Sequence, residues 1–163
     1  MRADGNYPFT LENGKYITQE KRNNSDIHTW QGEANLFHTF HDESTLDVKA
    51  YYFYSERGLP GAVILYNPKA EERLWDENFF TQARYKKTFA HKWTLQAQAK
   101  FNHSWNKYED TDVKYENGKQ TDINRQDEYY LSAAVLYQPV KGLELSLAQD
   151  GFINTLHTNI NDS

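Results

Sequence analysis

From Trp93 to Trp105 the chain alternates without a break. Odd positions read Trp93, Leu95, Ala97, Ala99, Phe101, His103 and Trp105; even positions read Thr94, Gln96, Gln98, Lys100, Asn102 and Ser104. Successive side chains of a strand point to opposite faces, so thirteen residues of strict alternation demand a strand with one apolar and one wet face. Ordinary strands run about 5–6 residues. At about 3.4 Å per residue and a tilt near 45°, this one rises about 29 Å, enough to cross an apolar band roughly 25 Å tall. The tryptophans stand at the two ends of the apolar face, where an aromatic girdle at a membrane boundary would put them. A long strand of a soluble sheet with one buried face is the competing expectation.

The rest of the chain repeats the pattern. Residues 1–30 are polar and turn-rich, with Asn13-Gly14 marking a small hairpin inside a loop. Ala34, Leu36, His38 and Phe40 form one face of a strand, and a short polar turn, His41 to Ser44, follows. Leu46, Val48, Ala50, Tyr52 and Tyr54 share the next apolar face; Phe79, Thr81, Ala83, Tyr85 and Phe89 share another. Lys87 interrupts that second face near its end, where a long stem can snorkel to headgroups. After the organising strand, Tyr129, Leu131, Ala133, Val135 and Tyr137 make a further apolar face with aromatic ends, and Leu143, Leu145 and Leu147 open a last one. Connections are short at 41–44, 90–92 and 139–142 but long at 55–77 and 106–127. Outer-membrane barrels sort their loops this way, with tight periplasmic turns and long extracellular loops.

The expected fold is therefore all-β: antiparallel up-and-down strands forming part of a transmembrane β-barrel, with residues 1–163 as one partial barrel segment. Fifteen residues are assigned to lipid: Leu46, Val48, Ala50, Tyr52, Trp93, Leu95, Ala97, Ala99, Phe101, Trp105, Tyr129, Leu131, Ala133, Val135 and Tyr137. About six strands are too few to close even the smallest barrel of about eight. Asp47, Lys49, Arg84, Lys86, Lys100 and Glu128 would face inward, too charged for a dry core, so a wide, wet or plugged bore is implied. Unpaired edges are expected near Ala34–Phe40 and Leu143–Ala148.

Composition narrows the alternatives. Mean hydropathy is -0.92 and no apolar run approaches the ~18 residues of a membrane helix, which excludes a helical membrane protein but not a barrel. A net charge of -5 argues against a nucleic-acid partner. The sequence holds no cysteine, so thiolate chemistry and disulfides are impossible. Met1 to Gly5 lacks the apolar centre of a signal peptide, so either a leader has been removed or the chain is a piece of a larger one.

Reactive side chains are present, but poorly placed for chemistry. His38 and His41 differ by an odd number and face opposite ways on a strand, so with Asp42 and Glu43 they read as a solvated turn. Glu109, Asp110, Asp112 and Glu116 could offer oxygens to calcium, but their spacing misses the EF-hand pattern. His103 and Ser104 are adjacent, hence on opposite faces, and no Gly-x-Ser-x-Gly occurs. No enzyme activity, metal or cofactor is expected. Arg57, Tyr66, Arg73 and Trp75 in the first long loop are the candidate ligand contacts, Tyr108 and Tyr115 in the second weaker ones, because arginine and aromatic rings commonly anchor ligands.

The run Ser55-Glu56-Arg57-Gly58-Leu59-Pro60-Gly61, then Asn67, Glu72-Arg73-Leu74-Trp75 and Asn78-Phe79-Phe80, resembles the barrel region of TonB-dependent outer-membrane receptors. The likeness is to their cobalamin- and siderophore-receptor-like members and covers about Gly32 to Phe152. It implies a barrel of about 22 strands with an N-terminal plug, importing a scarce nutrient across the outer membrane with energy from the TonB complex. The plug, the TonB-contacting segment and a terminal aromatic strand are all missing, so an internal barrel fragment is expected. Its partners would be outer-membrane lipid, a small-molecule nutrient and, through the missing plug, TonB. A soluble β-barrel or sandwich binding a ligand through its loops is the alternative.

Overall fold

The computed structural model describes residues 1–61, 71–111 and 118–159. Nine strands account for most of them: β1 (Arg2–Ala3), β2 (Pro8–Asn13), β3 (Tyr16–Lys21), β4 (Ile27–Thr39), β5 (Thr45–Leu59), β6 (Glu72–Phe89), β7 (Trp93–Asp110), β8 (Gln120–Val140) and β9 (Leu143–Thr158). No helix occurs among the described residues. β2 and β3 pair only with each other, turning at Gly14 in a left-handed conformation. The other seven strands form one antiparallel sheet in the order β1-β4-β5-β6-β7-β8-β9.

Every pairing among the long strands joins neighbours in sequence, which makes a simple up-and-down meander. The sheet is open. Among the described residues β9 has no partner beyond β8, and the outer side of β4 is covered only by Met1 to Ala3, opposite Thr29 to Ile27. Ala90 and His91 adopt left-handed backbone at the tight turn between β6 and β7, closed by the Lys92 amide bonding the Phe89 carbonyl at 3.1 Å. At the preceding tight turn Asp42 accepts bonds from the amide and hydroxyl of Ser44, the latter 2.6 Å, and the Lys87 ammonium reaches the same carboxylate. Lys87 also lies over the Phe89 ring. It therefore ends in an ion pair with Asp42 instead of extending freely.

The register fixes which residues share a face. Leu46, Tyr85, Ala97, Ala133 and Gln149 occupy one row; Val48, Ala83, Ala99, Leu131 and Gly151 occupy the next. All fifteen residues assigned to the apolar face fall on that one side. The opposite side carries Asp47, Lys49, Arg84, Lys86, Lys100 and Glu128. Among the described residues only Arg22, Ser44, Ser55, Gly58 and Asp110 are buried, and none of these is a large apolar side chain.

In four places the strands reach beyond the bounds drawn from the sequence. Residues 55–59 and 72–77 belong to β5 and β6, which leaves 60–71 as the connection. Likewise 106–110 and 120–127 belong to β7 and β8, leaving 111–119. β4 begins at Ile27, inside the stretch read as loop. β8 runs through Pro139 to Val140 with a register shift after Tyr137, so that only Lys141 and Gly142 turn the chain. The cause is common to the first three. Backbone ladders continue wherever cross-strand partners exist, while apolar alternation marks only the part of a strand with an apolar face.

Trp105 also differs from its expected place. Its register neighbours are Glu77 and Arg125, beyond the His103–Asp127 pair, so the apolar run of β7 closes at Phe101. Aromatic partners mark both ends of that run. Trp93 stacks on Tyr137 with ring centroids 4.1 Å apart, and Phe101 meets Tyr129 at 4.9 Å.

Candidate functional site

The end of the sheet opposite the tight turns is held by polar side chains. Asn24, in left-handed backbone, sends its amide to the carbonyls of Glu72 (2.6 Å) and Leu59 (3.2 Å), joining the ends of β5 and β6. The Gly58 amide donates to the Asp26 carbonyl at 2.9 Å. Arg73 on β6 binds both Asp26 (2.9 Å) and Glu56 (2.8 Å). That guanidinium holds the Asp26 carboxyl below the usual carboxylate range by hydrogen bonding. One row further, Lys107 sits over the Trp75 ring, 4.6 Å from its centroid, and binds Glu109 at 2.6 Å. Lys119 reaches the same carboxylate, and hydrogen bonds from the two lysines keep Glu109 acidic.

The candidate ligand contacts are not brought together. Arg73 and Trp75 share the side of the sheet that carries the apolar run, where Glu56 and Lys107 engage them. Arg57 lies on the opposite side and binds Asp76 at 3.2 Å. Tyr66 and Tyr115 lie outside the described residues. Alternation separates them: 57 is odd on β5, and its register partner on β6 is the even-numbered Leu74. Of the residues that organise this end, Asn24 and Asp26 gave no signal in the sequence, since Lys21 to Asp26 looks like any solvated loop, and Glu56 stood only within the Ser55–Gly61 run.

His103 bonds Asp127 across β7 and β8 at 2.6 Å, a pairing invisible without the register. Among the described residues no three His, Asp or Glu side chains converge as metal ligands. Of the acidic run weighed for calcium, Glu109 is turned toward lysines, while Asp112 and Glu116 lie outside the described residues.

The water-compatible side is cross-linked along its length. Lys49 pairs with Glu33 (3.0 Å) and Arg84 with Asp47 (3.4 Å). Asn78 donates to Asn102 at 3.0 Å, Gln126 to Glu128 at 2.9 Å, and Asn124 to Asn106 at 3.0 Å. These cross-links give many of the charges and amides on this side a partner, as a side suited to water requires.

A scan against protein-family models finds no match for this chain, and a search of curated proteins finds none either.

Proposed function

We propose that this chain is a wall segment of an outer-membrane β-barrel receptor of the TonB-dependent kind. One side faces lipid, the other faces a broad aqueous or plugged bore, and the loop end forms part of the mouth that admits a scarce small nutrient. TonB would act through a plug that lies outside this segment. The observation that carries the proposal is the height of the apolar run. On β7 it spans Trp93 to Phe101 and on β8 Tyr129 to Tyr137, nine residues each, in register and closed by aromatic pairs at both ends. A membrane strand needs about 9–11 residues. Both strands then continue for roughly as long again without an apolar side.

A compact soluble barrel or sandwich would seal Leu131 and Val135 in a core, yet they are 66% and 39% exposed. A broad apolar side left bare in water is an aggregation surface, whereas hydrocarbon covers it without cost. The open edges at β4 and β9 fit membership of a wider sheet, since barrels are closed to satisfy edge amides.

The absence of cysteine makes the test direct. Single cysteines at Leu95, Ala97, Leu131 and Val135, labelled with an environment-sensitive fluorophore in lipid vesicles, are expected to report hydrocarbon. Cysteines at Gln96, Gln98 and Ser132 are expected to report water. A chain that is monomeric without lipid or detergent, or labels reporting water on both sides, would overturn the proposal.

A further inference from the structure

We infer that the polar side of β6–β9 carries a binding groove for a neutral saccharide. A concavity of about 550 Å³ lies there, with Phe80, Tyr130 and Phe152 contributing aromatic rings around it. Phe37, Tyr51, Phe53 and Tyr108 share this side, but Phe80, Tyr130 and Phe152 are the rings that border the concavity, where an apolar ligand face can rest on them. Phe152 and Tyr130 are register partners, and Phe80 stands two strands away, opposite Asn102.

The polar groups of the groove divide into two kinds. Asn102 and Glu128 are preset: Asn78 donates to the first at 3.0 Å and Gln126 to the second at 2.9 Å. Tyr130 is likewise fixed by its hydroxyl bond to Asp150, 3.0 Å. In contrast, the side chains of Lys100, Gln98 and Asn154 hold no hydrogen bond or ion pair among the described residues; the Lys100 ammonium only leans over Phe80, 5.4 Å from the ring centroid. Aromatic rings and fixed acceptors next to unengaged donors are what a ligand with a C–H face and a hydroxyl edge requires.

Charge selects the ligand class. Lys100 and Glu128 cancel formally within the groove, so an anion meets the carboxylate and a cation meets the ammonium. A neutral polyol meets neither penalty, and its hydroxyls serve both as donors to Glu128 and as acceptors from Lys100 and the amides. The inference rests on the bore proposal only in requiring this side to be wet.

The test uses the full chain in lipid vesicles with maltotriose and triacetylchitotriose as probes and citrate as the charged control, read by saturation-transfer NMR. At least one trisaccharide is expected to bind, with citrate weaker. Phe80→Ala and Lys100→Met should each weaken it about tenfold, as loss of a central contact does. Phe80→Tyr should retain binding, and Gln149→Ala on the other side should leave it unchanged. Binding of neither trisaccharide, no preference over citrate, or indifference to Phe80→Ala and Lys100→Met would overturn the inference. A fluorophore at position 95 is read in the same sample. Water there together with bound trisaccharide overturns the bore alone; lipid there without binding overturns the groove alone.

Discussion

The same strands have two unlike halves. Along Trp93–Phe101 of β7, one side is apolar and the other polar, and no ion pair occurs on the apolar side of that stretch among the described residues. Along Asn102–Asp110 both sides are polar: His103 binds Asp127, Lys107 binds Glu109, and Asn102 and Asn106 join amide ladders. β8 repeats the division at Tyr129. The ladder of backbone bonds ignores it, running from Asp110–Gln120 down to Trp93–Tyr137 without a shift. Hydrogen bonding between strands therefore makes the sheet at every height, whichever side chains it carries there.

The largest test of that division is a charge placed at the same side in each half. Leu95→Arg should cost about 2–4 kcal/mol in lipid vesicles, and Ile123→Arg, on the same side but in the polar half, about 0–1 kcal/mol, both read by denaturant titration. Equal effects would abolish the distinction between the halves.

Next comes Gly58→Ala. A Cβ there would stand 2.4 Å from the Asn24 side-chain oxygen and 2.5 Å from its carbonyl, so the 22–26 segment must shift. A loss of about 1–3 kcal/mol is expected, with faster amide exchange confined to the loop end. Exchange rising equally at Leu95 and Val135 would show that the halves are not separable.

Arg73→Ala removes the bonds to Asp26 and Glu56. Because all three side chains are partly exposed, screening limits the expected loss to about 1 kcal/mol, again local to the loop end.

The smallest effect is one of pH. Arg73 lowers the Asp26 carboxyl in the folded chain, so its contribution is complete above the ordinary carboxylate value of about 4 and declines as pH falls through the lowered one. The protection factor of the Gly58 amide, the exchange rate divided out by its intrinsic pH dependence, should therefore fall in acid, below about pH 4, and that acid-dependent fall should shrink in Arg73→Ala. A fall in the protection factor between pH 6 and 8 instead would contradict the assignment.

Legibility in the sequence followed the same division. In the apolar half, period-two alternation gave the all-β meander, the tight turns and the shared side of Leu46, Leu95 and Leu131, because one medium selects every second residue. In the polar half, residues 55–59, 72–77, 106–110 and 120–127 lack an apolar alternation and read as loop in the sequence, although they are strand. There Asp76 meets Arg57, Glu56 meets Arg73 and Trp75 meets Lys107 from neighbouring strands, and a charged residue looks alike in a ladder and in a loop until the register is known. Asn24 and Asp26 were missed for that reason, and Arg57 was grouped with Arg73 and Trp75 although parity sends it to the other side.

In the proposed membrane setting, strands that outlast their apolar run would have a consequence at the cell surface. Nine further residues, at about 3.4 Å each and a tilt near 45°, would lift the wall about 22 Å above the hydrocarbon. In the proposed setting the entrance would stand as a parapet among the outer leaflet's sugars. An incoming solute would meet ordered backbone and the Arg73–Asp26–Glu56 knot well before it reached the depth of the acyl chains.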